Sequence, residues 1–329
     1  MKPFDYYKVT TVQQATDLLA KYQDKAAILA GGSDLLGMMK DRIEGPKMKL
    51  PQHLIDIKGI KELAYIREQK TGLKIGATTT LTAIISSEIV GAKYPLLVEA
   101  ARQVAVPQIR NVGTLGGNLC QRPRCWYFRG KLFSDCLRKG GGNCYAQDGE
   151  NQYHAIMEKE ICAMVYPSDV APALIALDAK AEIAGPRGTR MVPLEKFYVS
   201  PDKQILKETV LSPQEMLVAL EIPAGSQGRK GAYLKLKERQ AFDFAIVSIA
   251  VSLALKGTIA ADARVVFGGI APFPLRSAKA EAALKGKELK NAVPAACAAC
   301  VEGAQPLSKN SYKIDAAKGI LEQALTMLS

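Results

Sequence analysis

The chain has 329 residues, 48% of them hydrophobic and 23% charged, which suits two or three cored domains of a globular protein. Its longest apolar run, residues 245–255, is far too short to cross a bilayer, and the opening MKPFDYYKV has no apolar signal region, so a cytoplasmic, membrane-free protein is expected, with export alongside a partner subunit as the alternative. The formal net charge of +12 is scattered over amphipathic segments such as 285–290 instead of being interleaved with stacking aromatics, which argues against nucleic acid.

In chain order, residues 12–22 read as a helix and 26–30 as a short buried strand. Gly31-Gly32-Ser33-Asp34 then turns into a helix over 35–40. A strand is expected at 53–57, and a hairpin at 64–67 and 73–77 around Lys70-Thr71-Gly72. Helices follow at 80–88 and, just after Pro95, at 96–104. Residues 120–153 break the pattern: they are rich in Gly, Arg, Cys and aromatics, with no sustained period. A stretch this long needs something other than an apolar core to organise it. Regular structure resumes with a helix at 168–177, a hairpin at 181–184 and 191–193 turning on Gly185-Pro186-Arg187-Gly188, and a strand at 217–222 stopped by Pro223. Residues 224–230 form the best candidate linker. Strands at 232–238, 244–255 and 264–270 and helices at 277–285, 295–303 and 316–328 give an α+β C-terminal domain. The division expected is 1–223, with a cysteine-rich insertion at about 120–165, and 224–329.

His53 and His154 are the only two histidines, which leaves no room for a His-rich metal site and little for Ser-His-Asp chemistry. Neither G-x-G-x-x-G nor G-x-x-x-x-G-K occurs, so a Rossmann or P-loop site is not expected. Two other glycine-rich turns stand out. The first is Leu29-Ala30-Gly31-Gly32-Ser33-Asp34, where glycines admit close approach of a ligand and N–H groups at a helix start can hold a pyrophosphate. It also suits a plain strand-to-helix junction with Ser33 or Asp34 as N-cap. The second is Arg110 to Leu119, containing Thr114, Gly117 and Asn118. Paired in one α/β region, the two turns suit a long dinucleotide threaded between subdomains.

Of the seven cysteines, five fall within 43 residues, from Cys120 to Cys162, so a metal or cluster site is favoured over disulfides. The gaps between Cys125, Cys136, Cys144 and Cys162 contain no C-x-x-C pair of the kind zinc ribbons use, and four thiolates on a long wrapping loop suit a [4Fe-4S] cluster better. Free or zinc-bound cysteines are the alternative. Cys297 and Cys300 are spaced for one face of an Ala-rich helix and read as core. The basic run from Arg122 to Lys139 is expected to serve the cluster electrostatically and to receive an acidic redox partner.

The AGGSDLL turn, the RNVGTLGGN turn, Pro167-Ser-Asp-Val-Ala-Pro-Ala-Leu and Leu220-Glu-Ile-Pro together resemble the flavoprotein subunit of the xanthine dehydrogenase and carbon monoxide dehydrogenase family, in order and spacing along essentially the whole chain. The resemblance implies a vanillyl-alcohol-oxidase-type FAD fold of two α/β subdomains followed by an α+β domain. It implies that Leu29, Ala30, Gly31, Gly32, Ser33 and Asp34 lie along the FAD pyrophosphate, that Thr114, Gly117 and Asn118 form a second wall, and that Asp169 is a further polar contact. Leu217 would pack on the flavin side and Lys235 would lie near the isoalloxazine; a solvent-facing strand residue is the other reading of Lys235. Arg124-Cys125-Trp-Tyr-Phe-Arg and Asp148 to Ile156 look like the insertion in the flavin subunits of 4-hydroxybenzoyl-CoA reductase and of bacterial three-subunit aldehyde oxidoreductases. That likeness assigns Cys125, Cys136, Cys144 and Cys162 to a [4Fe-4S] cluster and leaves Cys120 spare. The partners implied are a [2Fe-2S] subunit, a molybdenum-cofactor subunit and an external carrier such as ferredoxin. A self-sufficient flavin oxidase of the same fold is the second hypothesis, which the scarcity of histidine and the cysteine loop weigh against.

Overall fold

The computed structural model describes residues 1–329, and its N-terminal sheet is small and parallel. Strands β1 (Asp5–Lys8), β2 (Ala26–Leu29) and β3 (His53–Asp56) lie in the order β1-β3-β2. The amphipathic helix Val12–Tyr22, N-capped by Thr11, buries Ala15 and Leu19 against them.

The second sheet is antiparallel, with β4 (Ile66–Gln69), β5 (Gly72–Gly76), β6 (Lys180–Gly185), β7 (Gly188–Pro193) and β8 (Met216–Pro223) in the order β4-β5-β8-β6-β7. Both hairpins turn more tightly than the sequence suggested: Gln69 pairs with Gly72 and Gly185 with Gly188, each leaving a two-residue loop. The helix expected at 80–88 is broken into Leu81–Ile85 and Glu88–Lys93, because Ser87 caps the second piece by accepting from the Val90 N–H.

The third sheet, β9 (Lys230–Leu236), β10 (Val247–Lys256), β11 (Ile259–Gly268) and β12 (Leu275–Arg276), is antiparallel in the order β12-β11-β10-β9. It is covered on both faces, and this explains why β10 reads as one long apolar run. Ile249, Val251 and Leu253 face the C-terminal helices, while the alternate residue Ala250 joins Tyr233 and Val266 in the core shared with the helices Pro95–Arg102 and Val170–Ala176. Residues 224–229 are packed and not a loose tether, since the Ala224 N–H donates to the Thr71 carbonyl and buried Ser226 donates to that of Leu177. The helix expected at 295–303 instead spans Leu289–Ala299 and carries Pro294 in its interior. Proline normally closes a helix, and here the apolar face around it outweighs the lost backbone bond.

The C-terminal helix Tyr312–Leu328 also clasps the cysteine-rich insertion. Fully buried Lys313 donates to the carbonyls of Tyr153 (2.9 Å), His154 (3.0 Å) and Gly269 (2.8 Å). Asn310 donates to the carbonyls of His154 and Ala155. Lys313→Met removes one cation and strands three buried carbonyls, so it should cost about 3 kcal/mol. Thermal unfolding checks this, and an unchanged melting temperature would contradict it.

Candidate functional site

A cavity of about 580 Å³ opens between the first two sheets. That is the scale of a cofactor site. The first glycine turn forms one side of it, and Leu29, Ala30, Gly31, Gly32, Ser33 and Asp34 all line it. Thr114, Gly117 and Asn118 line the opposite side, and Asp169 and Leu217 complete the set. The two walls touch at Gly31, where an added Cβ would fall 2.2 Å from the Val112 carbonyl oxygen. Any side chain there would wedge them apart.

The two turns offer different chemistry. The N–H groups of Gly31, Gly32 and Ser33 donate to no backbone acceptor, so they are available to an anionic ligand. Those of the second turn are spent internally: Leu115 donates to the Thr79 carbonyl, Gly116 to that of Ala77, and Gly117 to Thr114 Oγ1 at 3.1 Å. Asn118 Oδ1 is held by Ser168 Oγ at 2.6 Å. The cradle therefore fits a dinucleotide such as FAD, with a donor-rich wall facing a close-packed one.

The packing adds detail to three of the expected residues and segments. Asp34 lines the cleft, but its carboxylate is occupied: it accepts from the Arg122 N–H (2.8 Å) and pairs with Arg124 (2.9 Å) and Arg129 (2.6 Å). Through these arginines it anchors the cysteine loop to the cleft that its own backbone lines. Lys235 does not line the cleft and does not face solvent. It sits behind Asp169, donating to its Oδ2 at 2.8 Å, while Tyr233 donates to Oδ1 at 2.7 Å. Burial pushes the Asp169 carboxyl up, and Lys235 opposes that shift. The third is the basic run, expected as a docking surface. Arg122 and Arg138 pair with Glu208, Arg124 and Arg129 with Asp34, and Lys139 donates to the carbonyls of Gly130 and Phe133. Lys131 alone of the six cations is exposed. A loop without an apolar core uses these ion pairs as its interior.

Arg122 and Arg124 also line the cleft, as do Arg239, Phe242 and Phe244 from the turn between β9 and β10. Arg122 was visible in the sequence only as part of the basic run, Arg124 there and at the head of the insertion likeness, and neither was expected on the cleft. No histidine lines the cleft: His53 stacks on Tyr22 with ring centroids 3.7 Å apart, and His154 is buried in the insertion.

The insertion forms a second site. Cys125, Cys136, Cys144 and Cys162 line one small, almost wholly apolar pocket with Phe128, Met164 and Arg138. Cys120 is not among them; it lines the larger cleft. The hydrogen bond from Cys144 pulls the Cys162 thiol down to about 6, with the Arg138 cation assisting, and pushes the Cys144 thiol up. Burial pushes Cys125 up to about 12, and His154 Nε2 lies 3.2 Å from its sulfur. The glycine run lets the loop fold back on itself, since a Cβ at Gly141 would sit 2.2 Å from the Asp135 backbone. No three His, Cys, Asp or Glu side chains are arranged to hold a single metal ion. The four sulfurs share a pocket without forming a preassembled site for zinc or any other metal. Cys297 and Cys300 are core residues of the C-terminal region, as expected.

Two family descriptions match: FAD binding domain in molybdopterin dehydrogenase over residues 2–225, and CO dehydrogenase flavoprotein C-terminal domain over residues 232–328. The aldehyde oxidoreductase FAD-binding subunit PaoB of Escherichia coli (strain K12) is 35% identical over 327 residues, 99% of this chain and 98% of that one. The carbon monoxide dehydrogenase medium chain of Hydrogenophaga pseudoflava is 34% identical over 305 residues, 92% of this chain and 88% of that one. A solved structure of the carbon monoxide dehydrogenase from Hydrogenophaga pseudoflava superposes with a TM-score of 0.78 at 32% identity, covering 99% of this chain and 97% of that one. The chain therefore belongs to the family of FAD-binding subunits of molybdenum hydroxylases, which includes the carbon monoxide dehydrogenase medium chains.

Proposed function

We propose that the chain is the FAD- and [4Fe-4S]-carrying electron-transfer subunit of a cytoplasmic molybdenum hydroxylase of the aldehyde, aromatic acyl-CoA or N-heterocycle class. Its partners are a [2Fe-2S] small subunit, a molybdenum-cofactor large subunit and an external one-electron carrier such as ferredoxin. Residues 1–223 form the FAD-binding part and 224–329 the C-terminal domain. The observation that carries the reading is the adjacency of two sites. One loop supplies both, with Arg124 on the flavin cleft and Cys125, the next residue, in the four-thiol pocket. The match to an aldehyde oxidoreductase FAD-binding subunit along 99% of the chain agrees with it.

When bound, FAD would exchange electrons singly with iron–sulfur centres or pairwise with a nicotinamide, and the cluster would pass them one at a time. The free N–H groups of Gly31, Gly32 and Ser33 would hold the pyrophosphate, with Arg122 and Arg124 offsetting its charge. Thr114, Gly117 and Asn118 would form the close wall, Leu217 an apolar one, and Asp169 a polar contact that Lys235 and Tyr233 hold in place. Cys125, Cys136, Cys144 and Cys162 would ligate the cluster, and their convergence on one small pocket is what supports that reading.

Anaerobic titration of the purified complex with reduced methyl viologen, followed by visible absorption and electron paramagnetic resonance, tests the reading. Flavin bleaching should be accompanied by a cubane signal; bleaching with only [2Fe-2S] signals would reject the cluster. The FAD should also be non-covalent. No histidine lines the cleft, and burial pushes the one cysteine there, Cys120, up to about 12, leaving a protonated, unreactive thiol. Acid precipitation should release all the yellow colour, and a coloured pellet would contradict this.

A further inference from the structure

We propose that Arg138 is a direct contact of the [4Fe-4S] cluster, donating hydrogen bonds from Nε and Nη2 to its sulfur atoms, and that Glu208 behind it limits the positive charge the cluster experiences. The inference rests on the cluster reading given above.

Arg138 follows Cys136 in the single turn Leu137–Lys139, and its side chain is only 1% exposed. It lines the pocket that the four cysteines form. Its Nη1 is satisfied, donating to Glu208 Oε1 at 2.7 Å and to the Lys207 carbonyl at 3.2 Å. Nε and Nη2 are buried and have no hydrogen-bond partner. Buried guanidinium donors are rarely left unmet, and arginine cannot escape the cost by losing its proton. The pocket they border is lined by four sulfurs. A neutral thiol is a weak acceptor, whereas the thiolates and sulfides of a cubane are anionic and accept charge-assisted hydrogen bonds.

The neighbouring cation, Lys139, cannot fill this role, because its Nζ is committed to the carbonyls of Gly130 (2.7 Å) and Phe133 (3.0 Å). Glu208 is 6% exposed and shared between Arg138 and Arg122, whose Nε lies 2.8 Å from Oε2. One carboxylate thus partly balances two cations, and the net positive charge left beside the pocket favours the reduced, more negative cluster. Hydrogen bonds to the cluster sulfurs act in the same direction.

The test is made on the purified complex, with iron and acid-labile sulfide assayed and the midpoint potential of the cubane signal followed by electron paramagnetic resonance. Arg138→Gln combined with Glu208→Gln keeps the pocket filled and removes both charges of that pair together, leaving Arg122 as the nearby cation and isolating the loss of the Arg138 hydrogen bonds. It should retain iron and FAD while the cluster becomes at least tenfold harder to reduce, a fall of about 59 mV for a one-electron couple. Glu208→Gln alone, which leaves the Arg138 cation less balanced, should shift the potential the opposite way. If the double variant loses its iron, Glu208→Gln decides: an upward shift supports the proposal, and an unchanged potential overturns it. Retained iron with an unmoved potential in both variants would overturn the Arg138 contact while leaving the cluster in place. A wild-type complex with no cubane signal would overturn the cluster reading itself, and the contact with it.

Discussion

Cys136→Ala should strip the iron from this subunit, while Cys120→Ala should leave it intact. The two residues differ in where the fold puts them. Cys136 is buried in the small pocket with Cys125, Cys144 and Cys162, whereas Cys120 ends the short helix Leu115–Leu119 and faces the large cleft. A cubane takes four protein thiolates, and losing one removes a ligand that no other side chain in the pocket replaces. Cys120→Ala removes one sulfur from an apolar wall, where cysteine behaves as a small hydrophobe and costs about 1 kcal/mol to truncate. Iron and sulfide assays on the two variants, with FAD content as the control for folding, check the assignment. Iron lost from Cys120→Ala and kept in Cys136→Ala would reverse it.

Gly31→Val should yield a protein that retains no FAD and unfolds several degrees earlier than the parent. Its Cβ would meet the Val112 carbonyl oxygen at 2.2 Å and Gly113 Cα at 3.0 Å, all backbone, so neither wall can yield by a side-chain rotation. Backbone displacement of this kind commonly costs about 1–3 kcal/mol, and it also opens the cradle at the pyrophosphate position. Gly117→Val makes a useful contrast. There the Cβ meets only Thr114 Oγ1, at 2.9 Å, and the rest of the side chain occupies the cleft. It should lose FAD with little loss of stability. Flavin content and thermal unfolding measured together separate the two. FAD retained by Gly31→Val would mean that the first turn is not the pyrophosphate wall.

The glycine turns were legible because backbone approach has few sequence solutions, and both lie on the cleft where their residue types require. The long strand β10 was legible as an apolar run because the third sheet is covered on both faces. The insertion was legible only in its cysteines. Its arginines read as a charged surface because sequence spacing cannot distinguish a solvated cation from one paired with a carboxylate far along the chain. Asp34 meets Arg124 and Arg129, and Glu208 meets Arg122 and Arg138, across separations of 70 to 95 residues. The solvent-facing reading of Lys235 fails for a related reason: on an edge strand one face looks outward, but helix Val170–Ala176 brings Asp169 over it and buries both. Pro294 concealed the true start of its helix, because local propensity argues for a stop where tertiary packing overrides it.

Native mass spectrometry of this subunit, dissociated from its purified complex under anaerobic conditions, tests the central claim most directly. Separation from the [2Fe-2S] chain matters, because bulk iron cannot be apportioned between subunits. The account predicts a single dominant species whose mass equals the chain plus one FAD and one cubane of four iron and four sulfide. A chain carrying FAD alone, with the four thiols free or bridged by a zinc ion, would contradict it.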